Sequence, residues 1–304
     1  MSKPVRRLCV MSAVLAMSAL AFAAPGATLG TRQEALSAPA PSGPTCGDTI
    51  LKADGVPWKC TFDDEFNGTS LNTTKWTVQQ TPTSGYATGP LGYHACYIDR
   101  PENVSVSGGY LALTARKEAS TFNCGAFFKT QYTAGSVSGF GKFSQAYGRF
   151  EVRALVPQAA VPGLQESFWL WPVNSTKYGA QPASGEIDIA ELYSQYPTLA
   201  MPYIHYKPGV FDPNLTSYKC TIDITKFHTY TLEWTPSSLT VIYDGNTCLV
   251  DNWKPAAPLV APQPFDQPFF LALTQALGIA TNSFDPATTP LPATTLVDYA
   301  RIWK

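Results

Sequence analysis

Residues 103–116, NVSVSGGYLALTAR, hold two runs of alternating apolar and polar residues on either side of Gly108-Gly109. A period of two sends successive side chains to opposite faces of a strand. Two glycines between such runs supply the positive φ angles that a tight hairpin turn needs. The stretch reads as a hairpin with one buried face. Short apolar-patterned runs return in YGRFEVRALV (147–156), FHTYTLEWTP (227–236), LTVIYDG (239–245), PFFLALTQAL (268–277) and LVDYARIW (296–303). None of them shows a capped helical period. With 22 Gly and 26 Pro as punctuation, the expected architecture is an all-β, two-sheet antiparallel sandwich. No repeat of fixed period is visible.

The start of the chain reads differently. MSKPVRR is a positive segment, LCVMSAVLAMSALAFA is apolar, and AFA at 21–23 gives a small-residue cleavage site. Residues 1–23 are therefore expected to be a secretory signal peptide. The apolar run is short for a membrane span, and polar, Pro-rich sequence follows it. Residues 24–44 are Ala/Pro/Gly/Ser-rich without periodicity and read as a disordered linker. Residues 45–304 read as one domain, opened by a small cysteine-closed lead-in at 45–61, because no second linker interrupts them. The expectation is a secreted, extracellular protein, acting as a monomer, with no membrane attachment after signal cleavage.

Hydrophobic residues make up 45% of the chain and charged residues 14%, which suits a globular domain with an ample core. Loss of Lys3, Arg6 and Arg7 with the leader takes the formal charge from −1 to −4. No basic patch is visible, so nucleic acid is not an expected partner, and a neutral substrate is the easier reading. Cys9 leaves with the leader. Six cysteines remain, and an even number in an exported chain points to disulfides. Of fifteen possible connectivities, pairing in chain order closes three local loops: Cys46–Cys60, Cys96–Cys124 and Cys220–Cys248. No C-x-x-C spacing suggests zinc.

The segment SGEIDIAELYS (184–194) carries Glu186, Asp188 and Glu191. Strand alternation puts Glu186 and Asp188 on one face and Ile187 and Ile189 on the other, but sends Glu191 to the wrong side. Like charges on one face repel, so the cluster needs compensation or a use. One extra residue in the strand, a β-bulge near Ala190, would return Glu191 to the face of the other two. Three carboxylates in such a row suit glycoside hydrolysis, in which one carboxylate attacks and another donates a proton. The middle Asp188 could share a proton with the nucleophile, and its charge would raise its neighbours' proton affinity.

With these residues in hand, the chain resembles the laminarinase-like (endo-β-1,3-glucanase) branch of glycoside hydrolase family 16. The likeness runs in order through FDDEFNG, PENVSVSGGYLALTAR, YGRFEVRALVP, FWLWP, EIDIAE, HYKPG, FHTYTLEWTP and VDYARIW, about residues 62–304. It implies a β-jelly roll with a concave substrate cleft and a retaining endo-glycanase acting on a β-linked polysaccharide. It also implies Glu186 as nucleophile, Glu191 as acid/base and Asp188 as the assisting carboxylate, with no catalytic cofactor. For substrate binding it implies Trp169, His205 and Asn103, with Tyr97 and Gln275 as further candidates. Trp169 and Trp171 lie two apart and so share a face, as a sugar platform or as core. A structural calcium on the convex face is implied at Glu65, Gly109 and Asp298; the plainer alternative is that Asp298 caps a turn.

Three positions depart from the family pattern: Gln165 where a Trp is common, Thr274 for Asn, and Ser136 for Arg. They weaken any transfer of substrate detail. The resemblance favours a β-1,3-glucan (laminarin-type) hydrolase. A mixed-linkage β-1,3-1,4-glucanase, a galactan- or agar-type hydrolase, a transglycosylase and a non-catalytic glycan-binding module remain the alternatives.

Overall fold

The computed structural model describes residues 43–304. The leader and the linker up to residue 42 lie outside the described residues. The glycine hairpin sets the pattern: β4 (Val104–Ser107) pairs antiparallel with β5 (Tyr110–Cys124), and Ser107 faces Tyr110 across the turn once the strands are in register. Gly108 and Gly109 have φ of 61° and 84°, the left-handed region that a two-residue hairpin turn demands of both central residues. β5 continues past the expected end at residue 116, because β6 (Phe128–Ala134) folds back on it and supplies a partner.

The remaining strands are β1 (Cys60–Asp64), β2 (Thr77–Val78), β3 (Ala95–Tyr97), β7 (Ser136–Ser138), β8 (Gly148–Leu155), β9 (Leu164–Pro172), β10 (Glu186–Tyr193), β11 (Met201–His205), β12 (His228–Trp234), β13 (Leu239–Tyr243), β14 (Asn246–Asp251), β15 (Phe269–Leu277) and β16 (Ala293–Trp303). Helix among the described residues amounts to Thr81–Ser84 and a 3₁₀ turn at Ala280–Asn282. One sheet of ten strands has the order β14-β13-β12-β8-β16-β5-β6-β3, with β1 on β16 and β4 on β5. The other has six strands, β11-β10-β9-β15-β7-β2. Pairing is antiparallel except for β3 beside β6. Strand neighbours are distant in sequence, as in β16 between β5 and β8, which is the interleaved order of a jelly roll.

The core lies between the sheets. Phe168, Leu170, Ile187, Ile189, Leu271 and Leu273 from the six-stranded sheet meet Phe150, Val152, Tyr230, Leu232, Val297 and Ile302 from the other. Trp234 is buried in this layer against Phe150 and Phe269, on the core side rather than the cleft. The disulfides pair in chain order, Cys46–Cys60, Cys96–Cys124 and Cys220–Cys248. They fasten the lead-in to β1, β3 to the far end of β5, and the segment after β11 to β14.

Gln275 corrects one expectation. It pairs opposite Glu166 in the β15–β9 ladder and is fully buried on the inter-sheet side. Its amide donates to Glu166 Oε1 at 2.7 Å, and its Oε1 accepts from Thr295 of the opposite sheet at 2.7 Å. The cleft face of β15 carries Phe270, Ala272 and Thr274, so alternation turns Gln275 away from any sugar. Burial pushes Glu166 up from its ordinary 4.5 to about 8, against the pull of the Gln275 hydrogen bond.

Folded protein thus holds this proton over a range in which the unfolded chain releases it. Stability tied to Glu166 is complete below about pH 4.5 and falls as pH rises towards and through 8. Glu166→Gln keeps the acceptor for Gln275. It should make the decline in melting temperature between pH 5 and pH 9 shallower than in the parent, measured by thermal unfolding across that range, with the rest of the slope left to the other buried acids.

Candidate active site

The six-stranded sheet turns one face to the core and the other to a cleft of about 410 Å³. The cleft is lined by Glu186, Trp169, Trp171, Tyr86, Ser136 and Phe270, with further residues of β2, β7 and β15. Glu186 starts β10 because Gly185 precedes it. Gly185 has φ of 84°, and a Cβ there would come within 2.8 Å of the Phe265 ring, so only glycine turns the chain into the strand at this point.

Along β10 the ladder with β9 pairs Ile187 with Leu170 and Asp188 with Trp169, then slips: Ala190 faces Phe168 and Glu191 faces Ser167. The ladder with β11 slips in the same place, from Asp188–Tyr203 to Glu191–Met201. Ile189 is the extra residue, one position before Ala190. Since Ser167 and Trp169 share a face of β9, the slip returns Glu191 to the face of Asp188 and Glu186. Ile189 stays buried, and its carbonyl, released from regular pairing, accepts the Tyr243 hydroxyl of β13 at 2.7 Å. A bulge leaves a backbone group to be satisfied, and here the opposite sheet satisfies it.

Each carboxylate has its own partners. Gln181 donates to Glu186 Oε2 at 2.8 Å. His205 Nε2 lies 2.9 Å from Asp188 Oδ2, on the strand register where His205 faces Glu186. Glu191 accepts Gln165 Nε2 on Oε1 at 2.8 Å and the Tyr193 hydroxyl on Oε2 at 2.6 Å. Burial, then the Asp188 charge, pushes Glu186 up to about 7. Burial likewise lifts Asp188 to about 6, although its bond to His205 opposes this. Glu191 is raised by burial against the pull of Tyr193, His205 and Gln165. Burial alone would depress His205, but its hydrogen bond to Asp188 and the surrounding carboxylates push it up to about 9. At neutral pH the site therefore holds an imidazolium and carboxyl groups that share protons as a set.

Trp169 and Trp171 stand on the cleft face, 5.8 Å apart and edge to face. Trp169 Nε1 donates to Thr274 Oγ1 at 3.1 Å, and Thr274 exchanges a 2.9 Å hydrogen bond with Ser136. All three positions that depart from the family pattern, Gln165, Thr274 and Ser136, thus bond to one another or to the site's own residues.

Asn103 and Tyr97 do not reach the cleft surface. Both are fully buried. Asn103 donates to Thr114 O and Thr133 Oγ1, joining β5 to β6, so it braces the sheet beneath. Tyr97 bonds Thr88 and lies under Tyr86, ring stacked on ring at 5.5 Å. Tyr86, which sequence reasoning missed, lines the cleft in place of Tyr97. Partial burial, then the charges of Glu186, Glu191 and Asp188, push it up to about 12. It sits in the loop segment SGYATG, where no periodicity marks it.

At the positions implied for calcium, Glu65 forks onto Arg301 at 2.7 and 2.8 Å, and Asp298 reaches Arg153 at 2.5 Å. Gly109 is the second glycine of the hairpin turn. Each of the two carboxylates faces an arginine. Among the described residues no three His, Cys, Asp or Glu side chains gather as a metal-binding group.

Carboxylates in a row beside tryptophans, in a cleft on a jelly-roll sheet, are the apparatus of a glycoside hydrolase. Residues 94–274 match the family model described as glycosyl hydrolases family 16, and the chain belongs to that family. It is 31% identical to the beta-glucanase of Rhodothermus marinus over 83% of this chain and 88% of that protein. It is 31% identical to glucan endo-1,3-beta-glucosidase A1 of Niallia circulans over 80% of this chain, a stretch that spans only 37% of that longer protein. The keratan-sulfate endo-1,4-beta-galactosidase of Sphingobacterium multivorum is 28% identical over 80% of this chain and 54% of that protein. Among solved structures, the endo-beta-1,3-glucanase from Pyrococcus furiosus superposes with a TM-score of 0.69 at 26% identity, over 84% of this chain and 97% of that one.

Two substitutions test the geometry. Tyr243→Phe removes the donor to Ile189 O and should cost about 1–3 kcal/mol in chemical denaturation, with a loss of activity that exceeds the loss of folded protein. Gln165→Leu removes a donor that favours ionised Glu191. The proton on Glu191 should then be held more tightly, and the alkaline limb of the pH–kcat profile should move to higher pH.

Proposed function

We propose that this chain is a secreted, retaining endo-β-glucanase acting on β-1,3-linked glucan. The observation that carries the reading is the single bulge in β10, which leaves Glu186, Asp188 and Glu191 on the cleft face. Glu186 attacks the anomeric carbon while Glu191 gives its proton to the departing glycosidic oxygen. Glu191 then takes a proton from water, and that water releases the sugar from Glu186. The productive microstate has Glu186 ionised and Glu191 protonated, and the shared protons of the set make it accessible near neutral pH. Asp188 lies between the two glutamates, bonded to His205, and its charge raises the proton affinity of Glu186.

Uncharged aromatic surfaces, Trp169, Trp171 and Tyr86, suit the apolar C–H faces of a neutral glucan. The names of the glucan-cleaving relatives support the same substrate class. A second reading, a galactan-type hydrolase, is favoured by one observation: the cleft positions Gln165, Ser136 and Thr274 depart from the common pattern, and a galactosidase is among the relatives. Export is supported by the leader-like residues 1–23 and by three disulfides.

Glu186→Ser and Glu191→Gln should each lower kcat on laminarin by about 10²–10⁴ with little change in melting temperature. Proton NMR of the first turnover should show the β-anomer. Normal hydrolysis by Glu186→Ser, or an initial α-anomer, would sink the mechanism. Product sizing on laminarin, lichenan and agarose decides the substrate, and cleavage of agarose alone would transfer the assignment to the galactan reading.

A further inference from the structure

The segment that leaves β11 directly after His205 meets the end of β14 in a second cleft of about 240 Å³, lined by Tyr206, Asp212, Asn214, Asp251, Asn252 and Lys254 among others. Asp251 is 1% exposed, and no protein group donates to its Oδ2. A buried carboxylate oxygen without a partner is costly. The charge of Asp212 beside it adds to the cost. Asp212 itself is held in place. Its Oδ1 accepts the Asn214 N–H at 2.8 Å, and its Oδ2 accepts the Tyr206 hydroxyl. That hydroxyl in turn accepts the Lys254 N–H at 3.2 Å. Among the described residues, neither acid has a basic side chain within 4.0 Å.

This is the reverse of the Glu65 and Asp298 pair, where an arginine answers each carboxylate. Here two acids converge in one cleft, and among the described residues neither forms an ion pair, Lys254 on the cleft wall included. Apolar packing does little to hold the loop, because Val210 and Phe211 are 64% and 90% exposed.

We propose that Asp212 and Asp251, with the side-chain amide oxygens of Asn214 and Asn252, form a binding site for a hard divalent cation of calcium's class. The site is separate from the catalytic cleft. Oxygen is the only donor type available, which excludes the nitrogen and sulfur chemistry of zinc. Two carboxylates balance a double charge. Neutral amide oxygens and solvent complete the six to eight oxygens that calcium accepts in irregular geometry, which magnesium's strict octahedron does not. Occupancy would pin the loop that begins one residue after His205, and with it the end of the strand that supports Asp188.

The test uses the full chain stripped with EGTA and titrated with calcium chloride at pH 8. We expect about one equivalent bound. The melting temperature should rise by roughly 5–10 °C at a hundredfold excess over Kd. Asp212→Asn and Asp251→Asn should abolish both effects, and Asp298→Asn should leave them intact. No calcium-dependent shift in the parent at about 10 mM would overturn the proposal. So would binding lost in Asp298→Asn but kept in Asp251→Asn. If an Asn variant fails to fold, hydrogen exchange of residues 206–217 in the parent decides. Calcium-dependent protection there supports the site, and unchanged exchange overturns it.

Discussion

The hydrogen bond from Tyr243 to the carbonyl of Ile189 is where the two sheets agree on the shape of the active strand. Without an extra residue, β10 would send Glu191 among the core side chains, where an ionisable group finds no compensation. With it, one backbone carbonyl leaves the ladder and must find a donor in a dry interior. Tyr243 supplies that donor from the opposite layer. Its hydroxyl is buried and well above its ordinary pKa, so it stays protonated and available to donate. The positions of the carboxylates, the burial of Ile189 and the packing of β13 over β10 therefore depend on one another.

Electrostatics add a second dependence. Three acids on one strand face would force the sheet apart or lose their charge if left alone. His205 lies across from them on β11 and is held as an imidazolium by the charges it relieves. Gln165 and Tyr193 aim their donors at Glu191, and Gln181 aims its amide at Glu186. Each acid is thus supported by a different element: β11 for Asp188, the loop before β10 for Glu186, and β9 with the end of β10 for Glu191.

Local periodicity explains what was legible in the sequence. The hairpin at Gly108-Gly109, the long runs that became β8, β12, β13, β15 and β16, and the bulge in β10 follow from spacing within a few residues. The bulge was legible because two gaps of unequal length cannot both be satisfied by alternation. What was not legible depends on partners far away in the chain. Gln275 has the same local pattern whichever sheet face it occupies, and only its register against Glu166 turns it inward. Asn103 and Tyr97 carry polar groups that look available in a string of letters. Strands β5 and β6 and the Tyr86 ring cover them. Tyr86 itself sits in a loop with no period to reveal it. Glu65 and Asp298 face Arg301 and Arg153, partners far away in the chain that no local pattern announces.

The alternation of β9 and β15 has a bearing on how such a protein can change. On each strand the odd and even positions belong to different environments, one answering to the interior and the other to whatever enters the cleft. Gln165 and Thr274 lie on the outward series, and Glu166 and Gln275 on the inward one. A substitution in the outward series alters recognition while the buried network beside it is left untouched. Selection for a new polysaccharide can therefore proceed one residue at a time along these strands, with the stability of the sandwich held in the alternate register.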